Sequence, residues 1–248
     1  MLILKNYLKS DFYKFYHSNI IKIHLIIPII TIITFLAYYT ISPWSELQKI
    51  ISYIQIISMS FPLIISVIVN MVYEQEQESG FQYFLGIADK RYNAHISKLI
   101  LIFILSLIST IITILGFGII FYLMGNNLLG IGFYLKQSLV MFASNIIIYM
   151  IQYLIVFYFG KGASIGLGII GSLISALMIT GLGDSIWILV PWSYSIRLCS
   201  YTLLDISNII FVKQQILQSI IIMIIYTCIS LALLLSFSKR WEGRKENY

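Results

Sequence analysis

Six apolar runs, at about 22–41, 50–73, 97–124, 134–159, 162–183 and 216–238, occupy most of the 248 residues. Each reaches or passes the roughly 20 residues that a helix needs to cross a bilayer core of about 30 Å. The expected fold is therefore all-α: an integral membrane protein with six transmembrane helices. With 59% hydrophobic and 10% charged residues, the composition excludes an ordinary soluble core. Three segments follow: an interfacial stretch at 1–21, a membrane domain at 22–238 and a basic tail at 239–248.

Charge placement orients the bundle, because Lys and Arg beside short loops stay in the cytoplasm. Lys5, Lys9, Lys14 and Lys22 precede the first span, and Lys90, Arg91 and Lys98 lie between the second and third. Lys161 separates the fourth and fifth, while Lys239, Arg240, Arg244 and Lys245 follow the sixth. The opposite side holds Lys49, Lys136, Arg197 and Lys213. Both termini are thus expected in the cytoplasm of a cell with a multi-pass protein in its plasma membrane. The formal charge of +6 follows from this bias together with attraction to anionic lipid, and needs no nucleic acid. The first span runs into Ala37-Tyr38-Tyr39-Thr40 with no small-x-small cleavage site, so it reads as a retained helix rather than a signal peptide. Cys199 and Cys228 stand far apart, with no CxxC and no Cys/His spacing for a metal or disulfide.

Ion-coupled carriers need ionisable groups at membrane depth, where each costs at least about 2.5–3.5 kcal/mol. None occurs from Leu99 to Leu135, Gln137 to Gly160, Gly162 to Gly183 or Gln214 to Ser238. Asn70, Asn145 and Gln152 remain as polar residues, expected to form hydrogen bonds between helices. Gly166-Leu167-Gly168-Ile169-Ile170-Gly171 matches a dinucleotide fingerprint in letters alone, since no strand precedes it and no acid follows at the right distance. The same stretch sets Ser164, Gly168, Ser172 and Ala176 at four-residue spacing beside Gly162 and Gly166, a small-residue face for close helix packing. There is no P-loop, so any ATP and Mg would sit on another subunit, and this chain carries no cofactor of its own. His17, His24 and His95 are scattered, which leaves no metalloprotease pattern and no catalytic residue to name.

Two loops carry more than topology. Between Tyr73 and Ser97 an acidic run, Glu74, Glu76 and Glu78, ends at Gly80, which breaks or turns the chain. If the second helix continues this far, Glu74 and Glu78 share a face and repel unless a base answers them. Phe81, Phe84, Leu85 and Ala88 then recur at helical spacing, predicting a short amphipathic helix closed by Asp89-Lys90-Arg91. Such a helix lies on the inner leaflet or inserts into a cytoplasmic partner. At these residues the chain resembles the ABC-2 type permeases, whose loop runs E-x-x-x-G, an apolar stretch, a basic turn and a Lys opening the third helix. Glu76, Gly80, Leu85, Arg91 and Lys98 stand at those places, without the proline often found before the basic turn.

The second loop, from Ser185 to Leu198, is too short to span and too hydrophobic for an ordinary loop. Trp187, Trp192 and Tyr194 suit a membrane–water boundary and Pro191 interrupts a helix through them, so a half-buried external segment is expected. Trp192 and Arg197 there would meet a departing amphipathic peptide or anchor the protein. The pattern Pro191-Trp192-Ser193-Tyr194 followed by Arg197-Leu198 is similar to the lantibiotic-immunity permeases. In front of the first span, the stretch from Tyr7 to Tyr16 interleaves aromatics with lysines, which places it on the inner interface. The resemblance implies an elbow helix there, beside an ATPase.

The same resemblance implies an exporter subunit working with a second permease, identical or related, and with a cytoplasmic ATPase dimer. Its implied substrate is an amphipathic antimicrobial peptide, expelled for self-protection. An exporter of another hydrophobic or lipid-linked compound, and a sensor or scaffold without transport, stay open at this level. The orientation is directly testable. After replacement of Cys199 and Cys228, a cysteine at Ser79 should be shielded from an impermeant thiol reagent in intact cells while one at Asn126 should label. Strong labelling at Ser79 would invert the topology.

Overall fold

A computed structural model describes residues 2–87, 91–126, 128–204, 210–241 and 243, and among them no strand occurs. A short helix α1 (Leu2–Tyr16) leads into α2 (Ile20–Ile41) and α3 (Glu46–Glu78). A π-helical turn at Tyr83–Ile87 precedes α4 (Arg91–Ile111), which continues through a second π-helical turn, Ile112–Gly116, into α5 (Phe117–Leu123). Then come α6 (Ile131–Phe159), α7 (Lys161–Met178), three 3₁₀ turns, α8 (Tyr194–Leu204) and α9 (Ile210–Arg240). Six segments are long and apolar enough to cross a membrane: α2, α3, the α4–α5 run, α6, α7 and α9. The protein is therefore read as a multi-pass membrane bundle.

The limits of α3 follow from its sequence. Ser45 and Gln48 form a capping box, the Ser45 hydroxyl accepting from the Gln48 amide at 3.4 Å and the Gln48 side chain accepting from the Ser45 amide at 3.1 Å. At the other end Gly80, with φ of 63°, lets its amide reach Gln77 O at 2.9 Å and the Phe81 amide reach Glu76 O at 2.9 Å. That pair of bonds is a Schellman motif, which favours glycine for its left-handed φ. Between these signals lie 33 residues, about 50 Å of helix and well beyond the hydrocarbon thickness. The helix of the second apolar run does continue to Glu78, and its last turns carry the acidic run.

α3 packs most intimately on α7. A Cβ at Gly168 would collide with the Ser66 side chain and lie 3.1 Å from Pro62 O, so this glycine is where the two backbones meet. The Ser172 hydroxyl accepts from the Leu63 amide at 3.3 Å, next to Pro62, whose ring disturbs the local helix bonding. Gly162 and Gly166 lie off this seam, with nothing within 4 Å of where a Cβ would stand. The contact with α3 runs through Gly168, Gly171 and Ser172 of the expected stretch, while Ser164 turns to Gln152 of α6 and Ser175 to Trp192.

α6 touches α3, α4, α7, α8 and α9, and three of its amides bind neighbours. Gln137 donates to Thr202 Oγ1 at 2.7 Å and Cys199 O at 3.2 Å, Asn145 donates to Ser195 Oγ at 3.2 Å, and the Gln152 amide bonds Ser164 Oγ at 3.0 Å. Asn70 reaches Lys161 O at 3.4 Å. Bonds of this kind between membrane helices average about 0.6 kcal/mol each, so their chief effect is on register.

The segment after α7 departs from the sequence-based expectation. The fifth apolar run extends to 183, yet α7 stops at Met178 and the chain turns back into the bundle instead of lying outside it. The Trp192 ring and Pro62 Cβ, the latter 3.1 Å away, fill the space beside Gly171, and Pro62 lies midway along α3. Ser195 meets Asn145 midway along α6, and α8 then climbs to Thr202 beside Gln137. Trp187 and Tyr194 are fully buried. The physical reason is apolarity coupled to backbone satisfaction. Irregular backbone survives at membrane depth only where protein answers its polar groups. Ser193 Oγ donates to Trp187 O at 2.5 Å, Tyr194 OH donates to Ile188 O at 2.8 Å, and Ser175 Oγ donates to Trp192 O.

Substitutions on the two sides of α7 should separate seam from surface. Gly168→Leu overpacks the α3 contact and should cost at least about 1–3 kcal/mol, lowering the melting temperature of the detergent-solubilised protein. Gly166→Leu should melt like the wild type in the same measurement.

Candidate functional site

At the end of the bundle that carries α1, side chains from three helices build a buried ion network. α1 presents Tyr7, Asp11 and Phe15 as one buried stripe at four-residue spacing, while Lys5, Lys9, Phe12, Tyr13 and Tyr16 face outward. Asp11 accepts from Lys98 Nζ of α4 at 2.8 Å and from Ser97 Oγ at 2.6 Å. Glu76 Oε1 of α3 accepts from Lys98 Nζ at 2.8 Å and from Lys14 Nζ at 2.8 Å. Asp11, Glu76 and Lys98 are 0% exposed, and the Lys14 side chain is 30% exposed. Two acids face two bases, so the group is formally balanced.

Aromatic rings close this network from water. Lys14 Nζ lies 3.9 Å from the centre of the Tyr83 ring, and Lys98 Nζ lies 5.7, 5.3 and 5.7 Å from Phe15, Tyr83 and Phe84. Burial, reinforced by the nearby Asp11, Tyr7 and Glu76, raises the Tyr83 phenol well above its ordinary pKa and keeps it neutral. Beyond Phe84 a second layer forms. His95 stacks on Phe84 at 4.2 Å and bonds Tyr153 OH at 2.9 Å, and Trp241 from the end of α9 packs edge-on to Phe81, Phe84, His95 and Phe157.

This arrangement corrects the reading of the first loop. Phe81 and Phe84, expected on the free face of an amphipathic helix, are 8% and 0% exposed and are spent inside the chain's own aromatic layer. Glu76, expected to meet a partner, is answered internally by Lys14 and Lys98. The loop is a single π-helical turn because the Schellman bend at Gly80 and a second positive φ, 56° at Phe81, drive the rings inward. Glu78, Gln82 and Leu85 remain exposed, while Glu74 pairs with Lys161 at 2.9 Å with both side chains nearly half exposed. Ala88, Asp89 and Lys90 and the Arg91 side chain lie outside the described residues, as do Arg244 and Lys245 of the tail.

The second set of candidates is also internal. Arg197 donates to Met178 O, to Thr180 O at 2.9 Å and to Asp184 Oδ1 at 2.7 Å, so it caps the carbonyl end of α7 and holds the inward fold, with 6% of its surface free. A direct contact between Arg197 or Trp187 and a passing substrate does not fit this burial. Pro191 and Trp192 are partly exposed, and Pro191 joins Leu189, Ile147, Ile151, Tyr226 and Ile229 around a cleft of about 300 Å³ between α6 and α9.

Sequence reasoning missed Asp11, His95 and Trp241 as members of one assembly. A signal existed for Asp11, the sole acid in a lysine- and aromatic-rich helix, flanked at four-residue spacing by Tyr7 and Phe15. Among the described residues no group of three or more His, Cys, Asp or Glu is placed to hold a metal. Comparison of the chain with protein-family models, with curated proteins and with solved structures finds no match. The network can fix geometry: it ties α1, the end of α3 and the start of α4 into one unit.

Because a buried ion set is worth little as a whole but costly to break, its members should be strongly non-additive. Lys98→Met should destabilise by about 3–5 kcal/mol by leaving two carboxylates facing each other without their shared cation. Adding Asp11→Asn and Glu76→Gln should recover much of that loss, measured as thermal unfolding in detergent.

Proposed function

We propose that this chain is the membrane-spanning subunit of an ABC-2 type exporter in a bacterial plasma membrane, with both termini in the cytoplasm. The observation that carries this reading is the distribution of charge. Among the described residues no Asp, Glu, Lys or Arg stands midway along a span, and the largest ionic group is gathered at one end, with α1. A carrier driven by protons or sodium needs ionisable groups inside, so the energy here comes from outside the chain. ATP, with Mg, is hydrolysed on a separate dimeric ATPase that docks at the α1 end, and a second permease, identical or related, completes the pore.

The contact with that ATPase uses what the fold leaves exposed. Glu78, Gln82 and Leu85 form the outward part of the turn, backed by the rigid network of Glu76, Lys98 and Asp11. Partner motion would pass through that network to α1, α3 and α4 together. The substrate is an amphipathic antimicrobial peptide, a reading supported by the resemblance in both loops and by the apolar spans.

Deletion of the chain should sensitise its cell to such a peptide, and replacing the catalytic glutamate of the partner ATPase should do the same. Combining Glu78→Lys with Leu85→Asp should release the ATPase from detergent extracts without lowering the melting temperature of the permease. Unchanged peptide tolerance in the deletion strain would overturn the substrate. ATPase retained at wild-type yield by the double variant would overturn the docking surface.

A further inference from the structure

The outward face of α1 differs from the lipid-facing middle stretches of α2, α7 and α9. The faces of α2, α7 and α9 expose Ile and Leu, as lipid tails require, whereas α1 exposes Lys5, Asn6, Lys9 and Ser10 among Phe12, Tyr13 and Tyr16. Asn6, Lys9, Ser10, Tyr13 and Lys14 line one shallow trough on it. Their positions follow the three- and four-residue spacing that puts side chains on one helix face. The only acid of α1, Asp11, points inward and is neutralised by Lys98, so no acid of α1 faces the trough and its Lys14 is answered only by Glu76 of α3.

Phe12, Tyr13 and Tyr16 are 52%, 66% and 66% exposed. Rings exposed to this degree beside lysines belong in the headgroup zone of a bilayer, where the ring meets the acyl boundary and the ammonium meets phosphate. The level is right for this: α1 packs along the start of α4 at Ser97 and Lys98, where the third span begins. Attraction to anionic lipid is worth about fivefold in affinity per lysine near the surface.

Lys14 gives the trough a second property. It lines the outer trough with Lys9 and also donates to Glu76 Oε1 at 2.8 Å inside. We propose that this trough binds the phosphate headgroup of an anionic glycerophospholipid, and that the bound headgroup competes with Glu76 for the Lys14 ammonium. Lipid charge is thereby coupled to the buried network. Occupancy draws Lys14 outward and leaves Glu76 to Lys98 alone, and by linkage whatever weakens the Lys14–Glu76 pair strengthens lipid binding. The inference needs only that the bundle lies in a bilayer and does not depend on the transport reading.

The test is binding of phosphatidylglycerol and of phosphatidylcholine with matched acyl chains to the purified full chain, read by native mass spectrometry. Phosphatidylglycerol should bind in clear preference, Lys9→Gln should weaken it about fivefold, and Lys14→Gln should weaken it similarly. Glu76→Gln, which frees Lys14, should change affinity in the opposite direction and tighten binding. Should Glu76→Gln fail to fold, a phosphatidylglycerol-dependent rise in melting temperature present in the wild type and lost in Lys14→Gln reports the same link. Equal binding of both lipids, or Lys9→Gln and Lys14→Gln indistinguishable from wild type, would overturn the site. Weaker phosphatidylglycerol binding by Glu76→Gln would overturn the competition for Lys14.

Discussion

The ammonium of Lys98, buried between Asp11 and Glu76, is the interaction on which one whole end of this molecule depends. A charge removed from water this completely must be answered by opposite charge at hydrogen-bond distance. Two helices supply the answer, and each is placed by doing so. Asp11 draws α1 against α4, and Glu76 holds the last turns of α3 beside them. Lys14 balances the second carboxylate, and the rings of Phe15, Tyr83 and Phe84 exclude the water that would screen the group. The turn after α3 is then pulled inward because its aromatic residues form that wall.

The opposite half of the bundle solves a different problem. There the difficulty is backbone rather than charge, because the segment after α7 enters the bundle without being a spanning helix. Hydroxyls and carbonyls settle it: Ser175, Ser193 and Tyr194 bond the carbonyls of the 3₁₀ turns, and Arg197 gathers the carbonyl end of α7. Gly168 and Gly171 permit the approach by removing bulk where Ser66, Pro62 and Trp192 come closest. α6 joins the two halves, with Gln137 and Asn145 on the inward segment and Tyr153 and Phe157 in the aromatic layer around His95.

A mechanical division follows. The α1 end is cross-linked by ion pairs across three chain segments, so it moves as a unit. The inward segment is held by single hydrogen bonds and by Arg197, whose partner Asp184 is 68% exposed. Only the Asp184 side of that pair is open to solvent, and Arg197 is held as well by the carbonyls of Met178 and Thr180.

What the sequence determined by itself was everything governed by local period and local chemistry. The six apolar runs determine six helices, Ser45 with Gln48 starts α3, and Gly80 stops it. The absence of mid-span charge and the amides Asn70, Asn145 and Gln152 were equally legible, because the cost of a polar group in lipid depends on the residue and its depth alone. Which partner each residue would take was decided by tertiary structure. Phe84 has the same spacing whether its face meets an ATPase or His95, and Glu76 reads as a surface acid until Lys14 and Lys98 arrive from 62 and 22 positions away, respectively, along the chain. The run from Ser185 to Leu198 is apolar enough to lie on a membrane surface or to fold inward; the choice fell inward because Ser175, Ser193 and Tyr194 could bond its carbonyls and Gly171 could make room for Trp192. Periodicity records which face of a helix is apolar, but only the folded chain contains the distances that say what covers it.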